Sequence, residues 1–339
     1  MAKIGVAGTT SWGTTLAIIA ARRGLDVRLW ARTGQEAEQL RSDAENRRFL
    51  PGVQIPPGVE VVAPADEAFS DAELVIIAVP SRTMRTNARA IRDSIHGDAV
   101  IVSATKGLEL GSGKRMSEVL AEELPSHYQK RICSLSGPNL APEIVMGKPS
   151  MTVVASANAG AAGHAQSLIT SSLFRVYTNS DIIGVELGGA LKNIIAVGAG
   201  VCDGLVLGEN AKAAFMTRGL AEIARLGLAA GAELTTFAGL AGVGDLIATC
   251  SSKLSRNHHL GEELAGGKSL EEIRAAMIHV AEGVDTTAAA VVLAERLNVE
   301  MPIARATYDV LFNGVTIDTA VSGLLGRDPV PEWPGIGLA

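Results

Sequence analysis

Five short apolar runs in the first half of the chain restrict its possible folds more than any other feature. They are Lys3-Ile-Gly-Val-Ala-Gly8, Asp26-Val-Arg-Leu-Trp-Ala31, Glu73-Leu-Val-Ile-Ile-Ala-Val-Pro80, Ala99-Val-Ile-Val-Ser-Ala-Thr105 and Ile132-Cys-Ser-Leu-Ser-Gly137. Their hydrophobicity is near-continuous rather than alternating, the pattern of strands covered on both faces and therefore of parallel strands. Trp12 to Arg23, between the first two, has the Ala and Leu content of a helix. A strand, turn, helix and strand followed by more buried strands predicts an α/β fold with a doubly wound sheet. Met151-Thr-Val-Val-Ala-Ser156 and Phe174-Arg-Val-Tyr177 are candidates to finish that sheet.

The pattern changes beyond Asn179-Ser-Asp181, which offers a helix amino-terminal signal. Ala211 to Leu228, Leu270 to His279 and Thr286 to Asn298 have helical periodicity, with Gly- or Asn-containing breaks between them. The switch predicts a boundary near residue 180, with a nucleotide-binding domain over 1–180 and an all-helical substrate and catalytic domain over 181–339. With 339 residues, 47% of them hydrophobic, the chain is long enough for two cores.

The turn Gly8-Thr9-Thr10-Ser11-Trp12-Gly13 matches a dinucleotide-binding pattern at its first and third glycines. Gly8 permits the tight turn, Gly13 permits close helix packing, and the helix start presents free N–H groups to a pyrophosphate. Thr10 stands where the middle glycine belongs, so an ordinary strand-to-helix turn fits these six residues equally well. In doubly wound sheets, ligands bind beyond the carboxyl ends of the strands, which here carry Pro80-Ser81, Lys106-Gly107 and Gly137-Pro138-Asn139. After the second strand comes Arg32, with no carboxylate beside it in sequence. That arrangement favours a 2′-phosphate and hence NADPH, with NADH also admitted.

In the second half, Lys192 is a lone cation amid apolar and small residues in the run from Gly184 to Gly200. An ammonium buried there is costly unless polar groups meet it, and burial favours the neutral amine, which suits proton exchange. A structural ion pair or a side chain reaching the surface is the alternative. Gly239-Leu-Ala-Gly-Val-Gly-Asp245 reads as a flexible turn that delivers one carboxylate. Ser255-Arg256-Asn257, before a helical run, offers groups that suit a phosphate dianion, although helix capping beside a surface arginine fits them too. Glu209-Asn210-Ala-Lys212 reads as a helix start with a solvated pair. His258 and His259 point in different directions on a helix and have no acidic cluster nearby, so no metal site is expected.

The net charge of −6, without a concentrated basic block, argues against a nucleic-acid partner. Cys133, Cys202 and Cys250 are widely spaced, which predicts buried thiols in a reducing compartment rather than a disulfide framework or zinc site. The amino terminus enters a strand without a basic leader region, and no long uninterrupted apolar stretch lacks charge and glycine. A cytoplasmic protein without stable membrane insertion is expected.

Ser11-Trp12-Gly13-Thr14, Gly137-Pro-Asn-Leu-Ala141, Glu186-Leu-Gly-Gly-Ala-Leu-Lys-Asn193, Gly244-Asp245-Leu, Ser255-Arg-Asn257 and Glu282-Gly-Val recur in order and spacing in one family. From end to end the chain resembles bacterial-type NAD(P)-dependent glycerol-3-phosphate dehydrogenases. The resemblance implies an amino-terminal Rossmann-like domain followed by an all-helical one. It also implies reversible hydride transfer between NADPH or NADH and dihydroxyacetone phosphate or sn-glycerol 3-phosphate, mainly as reduction to supply phospholipid backbones. By it, Lys192 is the catalytic proton exchanger and also touches substrate, while Lys106 and Asp245 orient the reacting end. Gly137, Asn139, Ser255, Arg256 and Asn257 complete the substrate pocket, the last three near its phosphate. Around the dinucleotide it places Gly8, Ser11, Trp12, Gly13, Arg32, Phe49, Lys106, Ala141, Arg256, Val280 and Glu282. A homodimer follows by the same analogy.

Two departures from the family pattern stand out. Thr10 interrupts the glycines, and Asn139 occupies a position where Ser or Thr is common. A related 6-phosphogluconate or 3-hydroxyacid dehydrogenase would share the two-domain plan and a catalytic lysine. A non-catalytic nicotinamide sensor would be expected to lack Lys106, Lys192, Asp245 and Arg256, all of which are present.

Overall fold

A computed structural model describes residues 1–277, 281–329 and 331–332. The chain divides into two compact units, Met1–Lys106 with Met116–Ile182, and Gly107–Arg115 with Ile183–Ala339. The first contains β1 (Lys3–Ala7), α1 (Ser11–Arg22), β2 (Asp26–Trp30), α2 (Gly34–Asp43), β3 (Val59–Val62), α3 (Ala65–Phe69), β4 (Leu74–Ile77) and α4 (Met84–Ile91). It continues through β5 (Val100–Ser103), α5 (Met116–Glu123), β6 (Ile132–Ser136), α6 (Ala141–Val145), β7 (Ser150–Ala155), α7 (Ala159–Ile169) and β8 (Phe174–Asn179).

The sheet order is β3-β2-β1-β4-β5-β6-β7-β8. Its first six strands run parallel in the doubly wound order whose direction of progress reverses between β1 and β4, the place where such sheets receive dinucleotides. β7 joins β6 antiparallel, and β8 follows it parallel. The apolar runs explain this sheet because every central strand is buried on both sides. Leu74 and Ile76 of β4 belong to one core with Ile4, Leu16 and Val102, while Val75 and Ile77 belong to another with Phe69, Met84 and Ile91. β3 escapes the sequence reading because it is a four-residue edge strand behind Pro56-Pro57-Gly58.

The second unit comprises α8 (Ile182–Gly204), α9 (Glu209–Ala229), α10 (Leu234–Phe237), α11 (Asp245–Ser251), α12 (Arg256–Ala265), α13 (Leu270–Ala276), α14 (Glu282–Arg296), α15 (Pro302–Phe312) and α16 (Ile317–Leu325). The predicted helix to His279 is described only as far as α13, because residues 278–280 lie outside the described ones. α8 is apolar nearly all round because it is the central helix, and 83% of its most apolar window is buried. Leu187, Leu191, Ile194 and Ile195 pack with Ile223 and Leu226 of α9, with Phe237 and Leu246, and with Leu293 of α14. The excursion Gly107–Arg115 joins this unit: Leu108 enters the same core, and Arg115 pairs with Glu186 of α8 at 2.7 Å. No sequence signal announces it.

α12 crosses α8 at backbone contact, and glycine makes the crossing possible. A Cβ on Gly200 would lie 1.9 Å from the His258 carbonyl oxygen, and one on Gly261 would lie 1.9 Å from that of Val197.

Glu222 of α9 is 5% exposed, and its carboxylate accepts from the Ile303 N–H at 2.7 Å and the Ala304 N–H at 3.4 Å, at the start of α15. Burial pushes this carboxyl up to about 7, against the opposing pull of those N–H groups. The folded protein therefore binds more protons here than the unfolded chain between the ordinary value of 4.5 and about 7. The contribution is fullest below that window and falls as pH rises through it, by roughly 3 kcal/mol in all. Glu222→Gln, which keeps an acceptor for Ile303 without titrating, is expected to match the parent's melting temperature near about pH 5 and exceed it near about pH 8. Parallel melting curves across that range would exclude the shifted carboxyl.

Candidate functional site

In the first unit, the turn between β1 and α1 is built as a backbone cradle. Gly8 has φ +117°, and a Cβ there would lie 2.5 Å from the Ala78 carbonyl oxygen; a Cβ on Gly13 would lie 2.0 Å from that of Gly8. These clashes explain both glycines and leave the start of α1 close against the strand ends, as a pyrophosphate site requires. Thr10 caps α1: its hydroxyl donates to the Ala78 carbonyl at 2.9 Å and accepts from the Gly13 N–H at 3.1 Å. The threonine in the middle-glycine position is thus a structural part of the turn. Ser11 and Trp12 open α1, and the Trp12 ring meets Phe174 edge-on at 6.3 Å.

Buried Asn46 pins the turn from outside, donating to the Thr9 carbonyl at 2.7 Å and the Thr14 hydroxyl at 2.8 Å. It also accepts from the Phe49 N–H at 3.3 Å, which fixes Phe49 relative to the cradle. Arg32 is exposed just beyond β2. No carboxylate adjoins it in sequence, but the fold supplies one: the Glu36 carboxylate accepts from the Arg32 backbone N–H at 3.3 Å. That pairing corrects the ground on which NADPH was favoured.

Beyond β5 and β6, Lys106 Nζ donates to the Gly137 carbonyl at 2.8 Å, so these two expected substrate residues do meet. Asn139 Nδ2 donates to the Thr152 hydroxyl at 3.0 Å, which in turn donates to the Ser136 carbonyl at 2.8 Å. Asn139 Oδ1 is buried and, among the described residues, has no donor. An unpaired buried acceptor costs stability unless a ligand satisfies it. Ala141 is buried at the first position of α6.

In the second unit, Lys192 is 5% exposed in the middle of α8 and does not reach the surface. Its Nζ donates to Asp245 Oδ1 at 2.8 Å and to the Thr249 hydroxyl, which itself donates to Asp245 Oδ1 at 3.2 Å. Asp245, 1% exposed, begins α11. The preceding glycine-rich segment is a packed wide helical turn over Leu240–Gly244 rather than a flexible one: Ala241 and Gly242 are buried, and a Cβ on Gly188 would lie 2.6 Å from the Ala241 carbonyl oxygen. Thr249 escaped sequence reasoning, though its spacing four residues after Asp245 on one helix face carries the signal.

Ser255 accepts from the His258 N–H at 3.2 Å, so it does cap α12. Asn257 joins three helices: its Nδ2 donates to Asn193 Oδ1 at 2.9 Å, and its Oδ1 accepts from the Gly283 N–H at 2.9 Å. Arg256 keeps much of its surface exposed, yet the residues crowded around its guanidinium lower its pKa by burial, an effect the Glu282 carboxylate at the start of α14 opposes. Val280 lies outside the described residues. Lys212, expected as half of a solvated pair, instead donates to Asp203 Oδ2 at 2.5 Å, and His258 Nε2 approaches the same oxygen at 2.7 Å. Burial raises the Asp203 carboxyl, but hydrogen bonds from Lys212 and His258 outweigh it and hold the group below its usual range.

The description "NAD-dependent glycerol-3-phosphate dehydrogenase N-terminus" matches residues 3–162, and the corresponding C-terminus description matches residues 181–322. A glycerol-3-phosphate dehydrogenase [NAD(P)+] from Dehalococcoides mccartyi is 49% identical over 336 residues, covering 99% of this chain and 94% of that protein. One from Bacillus cytotoxicus is 48% identical over 327 residues, covering 96% of each. The crystal structure of a glycerol-3-phosphate dehydrogenase from Coxiella burnetii superposes with a TM-score of 0.91 at 34% identity, covering 96% of this chain and 99% of that one.

Proposed function

Since this chain belongs to the NAD-dependent glycerol-3-phosphate dehydrogenases, we propose that Lys192 exchanges the proton of its reaction and that the groups around Lys192 and Lys106 hold the substrate. The enzyme reduces dihydroxyacetone phosphate to sn-glycerol 3-phosphate with NADH or NADPH, reversibly, and its product serves glycerophospholipid synthesis.

One observation carries the role of Lys192. An ammonium has three N–H donors, and among the described residues two are engaged, by Asp245 and Thr249. The third is free for the substrate's carbonyl oxygen. A dihydronicotinamide, when bound, would supply the hydride that the carbonyl carbon receives. As negative charge grows on the oxygen, the Lys192 ammonium stabilises it and then transfers a proton to it; in oxidation the neutral amine takes that proton back. Asp245 balances the lysine's charge and, with Thr249, fixes Nζ in place.

Asn139 Oδ1, buried with no donor among the described residues, suits the substrate's hydroxyl, and Lys106 beside Gly137 suits its reacting end. Arg256 and the start of α12 suit the phosphate, with Ser255 and Asn257 fixing that helix start rather than serving as loose ligands. Gly8, Ser11, Trp12, Gly13, Phe49, Ala141 and Glu282 are proposed for the dinucleotide, the first four on the strength of the cradle at α1. The three cysteines are buried and unbridged, which suits a cytoplasmic enzyme. The burial of α8 supports an enzyme without stable membrane insertion. A homodimer completes the reading, and sedimentation showing only monomer would remove it.

The deciding assay follows the loss of reduced-nicotinamide absorbance with dihydroxyacetone phosphate. Turnover is expected. No turnover there, together with oxidation of 6-phosphogluconate or a 3-hydroxyacid, would replace this reading with that of the related dehydrogenases.

A further inference from the structure

Glu36 lies in the first turn of α2, where its own N–H is capped by the Thr33 hydroxyl at 3.1 Å. A glutamate at this place ordinarily turns back to the N–H of the capping residue. Here it reaches further. Oε2 accepts from the Arg32 N–H at 3.3 Å, and Oε1 accepts from the Thr9 hydroxyl at 2.5 Å. Thr9 is 8% exposed and sits inside the turn between Gly8 and Ser11, whose backbone Asn46 pins in place. The carboxylate therefore bridges the end of β2 and the first strand-to-helix turn, anchored on both. In a sheet of this order, those two loops flank the adenosine ribose of a bound dinucleotide.

We propose that Glu36 selects the dinucleotide, accepting from the ribose 2′-hydroxyl and repelling a 2′-phosphate, so that this chain prefers NADH to NADPH. The inference rests on the dinucleotide reading of the β1–α1 turn. A carboxylate offers about four acceptor positions, of which Thr9 and Arg32 use two, so acceptors remain for ribose hydroxyls. A 2′-phosphate brought to the same place would set two anions side by side, one of which the Thr9 hydroxyl prevents from swinging away. Arg32 opposes this only weakly. Its guanidinium is exposed, and an exposed pair gains little in water and loses more to salt.

Calorimetry with NADH, NADPH, 5′-AMP and 2′,5′-ADP on the intact protein separates the terms without relying on turnover. The ligand of each pair that lacks the 2′-phosphate is expected to bind about tenfold more tightly or better. Glu36→Gln keeps the side chain's size and one acceptor oxygen, enough for Thr9 or Arg32 but not both, while removing the charge. It should bring both ratios close to one or invert them, chiefly by tightening the 2′-phosphorylated ligands. Thr9→Val, which frees the carboxylate, should give intermediate ratios and carries the test if Glu36→Gln fails to fold. Ratios unchanged in Glu36→Gln, or a parent that prefers NADPH, would overturn the proposal and leave the dehydrogenase assignment standing. Folded protein that binds neither dinucleotide would overturn both.

Discussion

Lys192→Met is expected to remove turnover by about 10⁴-fold or more, combining the loss of a proton donor with that of the charge facing the developing alkoxide. The same change should lower stability, for a separate reason. Asp245 is 1% exposed and pairs with Lys192 at 2.8 Å, so methionine deprives a buried carboxylate of the lysine's charge. Breaking a buried pair from one side costs about 3–5 kcal/mol, much more than replacing both partners. The single variant therefore mixes chemistry with folding. Lys192→Met combined with Asp245→Asn separates them, because the neutral amide can still accept from Thr249. The double variant should recover most of the lost melting temperature and none of the lost rate. A double variant retaining even a tenth of parental turnover would show that the proton comes from elsewhere.

The second large effect is expected at a residue that touches no ligand. Gly261→Ala adds one methyl group, which would lie 1.9 Å from the Val197 carbonyl oxygen and so must push α12 away from α8. Overpacking of backbone against backbone has no side chain to yield, and a cost of about 3 kcal/mol follows. α8 carries Lys192, and α12 carries Arg256 and Asn257. A displacement of about an ångström between them should lower kcat/KM for dihydroxyacetone phosphate by about a hundredfold. Gly323→Ala in α16 is the matching control, since a Cβ there meets nothing within 4 Å among the described residues. There the same chemical change should stabilise slightly, by up to about 1 kcal/mol. If both variants melted alike, the close approach of α8 and α12 would not be a constraint.

What the sequence revealed and what it hid follow from how each residue makes its contacts. The central strands were legible because burial on both faces leaves an unbroken apolar run, which Leu74-Val-Ile-Ile77 shows clearly. β3 was not, being short and on an edge. Lys192 stood out because its neighbours are apolar, yet its second partner, Thr249, looks like any helical threonine until Asp245 is placed one turn before it. Glu36 was passed over beside Arg32 because four residues of sequence conceal how the chain folds back at the start of α2. Asn46, 37 residues beyond Thr9, could not be linked to it by any local pattern. Gly107–Arg115 belongs to the helical unit through Leu108 and Arg115, contacts that are invisible without the fold.

The amide pair Asn193 and Asn257, with the Gly283 N–H at its far end, also limits how this protein can diversify. A change at either asparagine strands a polar group in the other, and a change at Gly283 puts a Cβ 2.8 Å from Asn257 Oδ1. These three positions can drift only together. Arg256, next in line, is under no such bond among the described residues, so exchanging it would alter the proposed phosphate contact without disturbing that junction. A descendant lineage could therefore recruit a different anion at Arg256 in single mutational steps, while the helix that presents it is inherited unchanged.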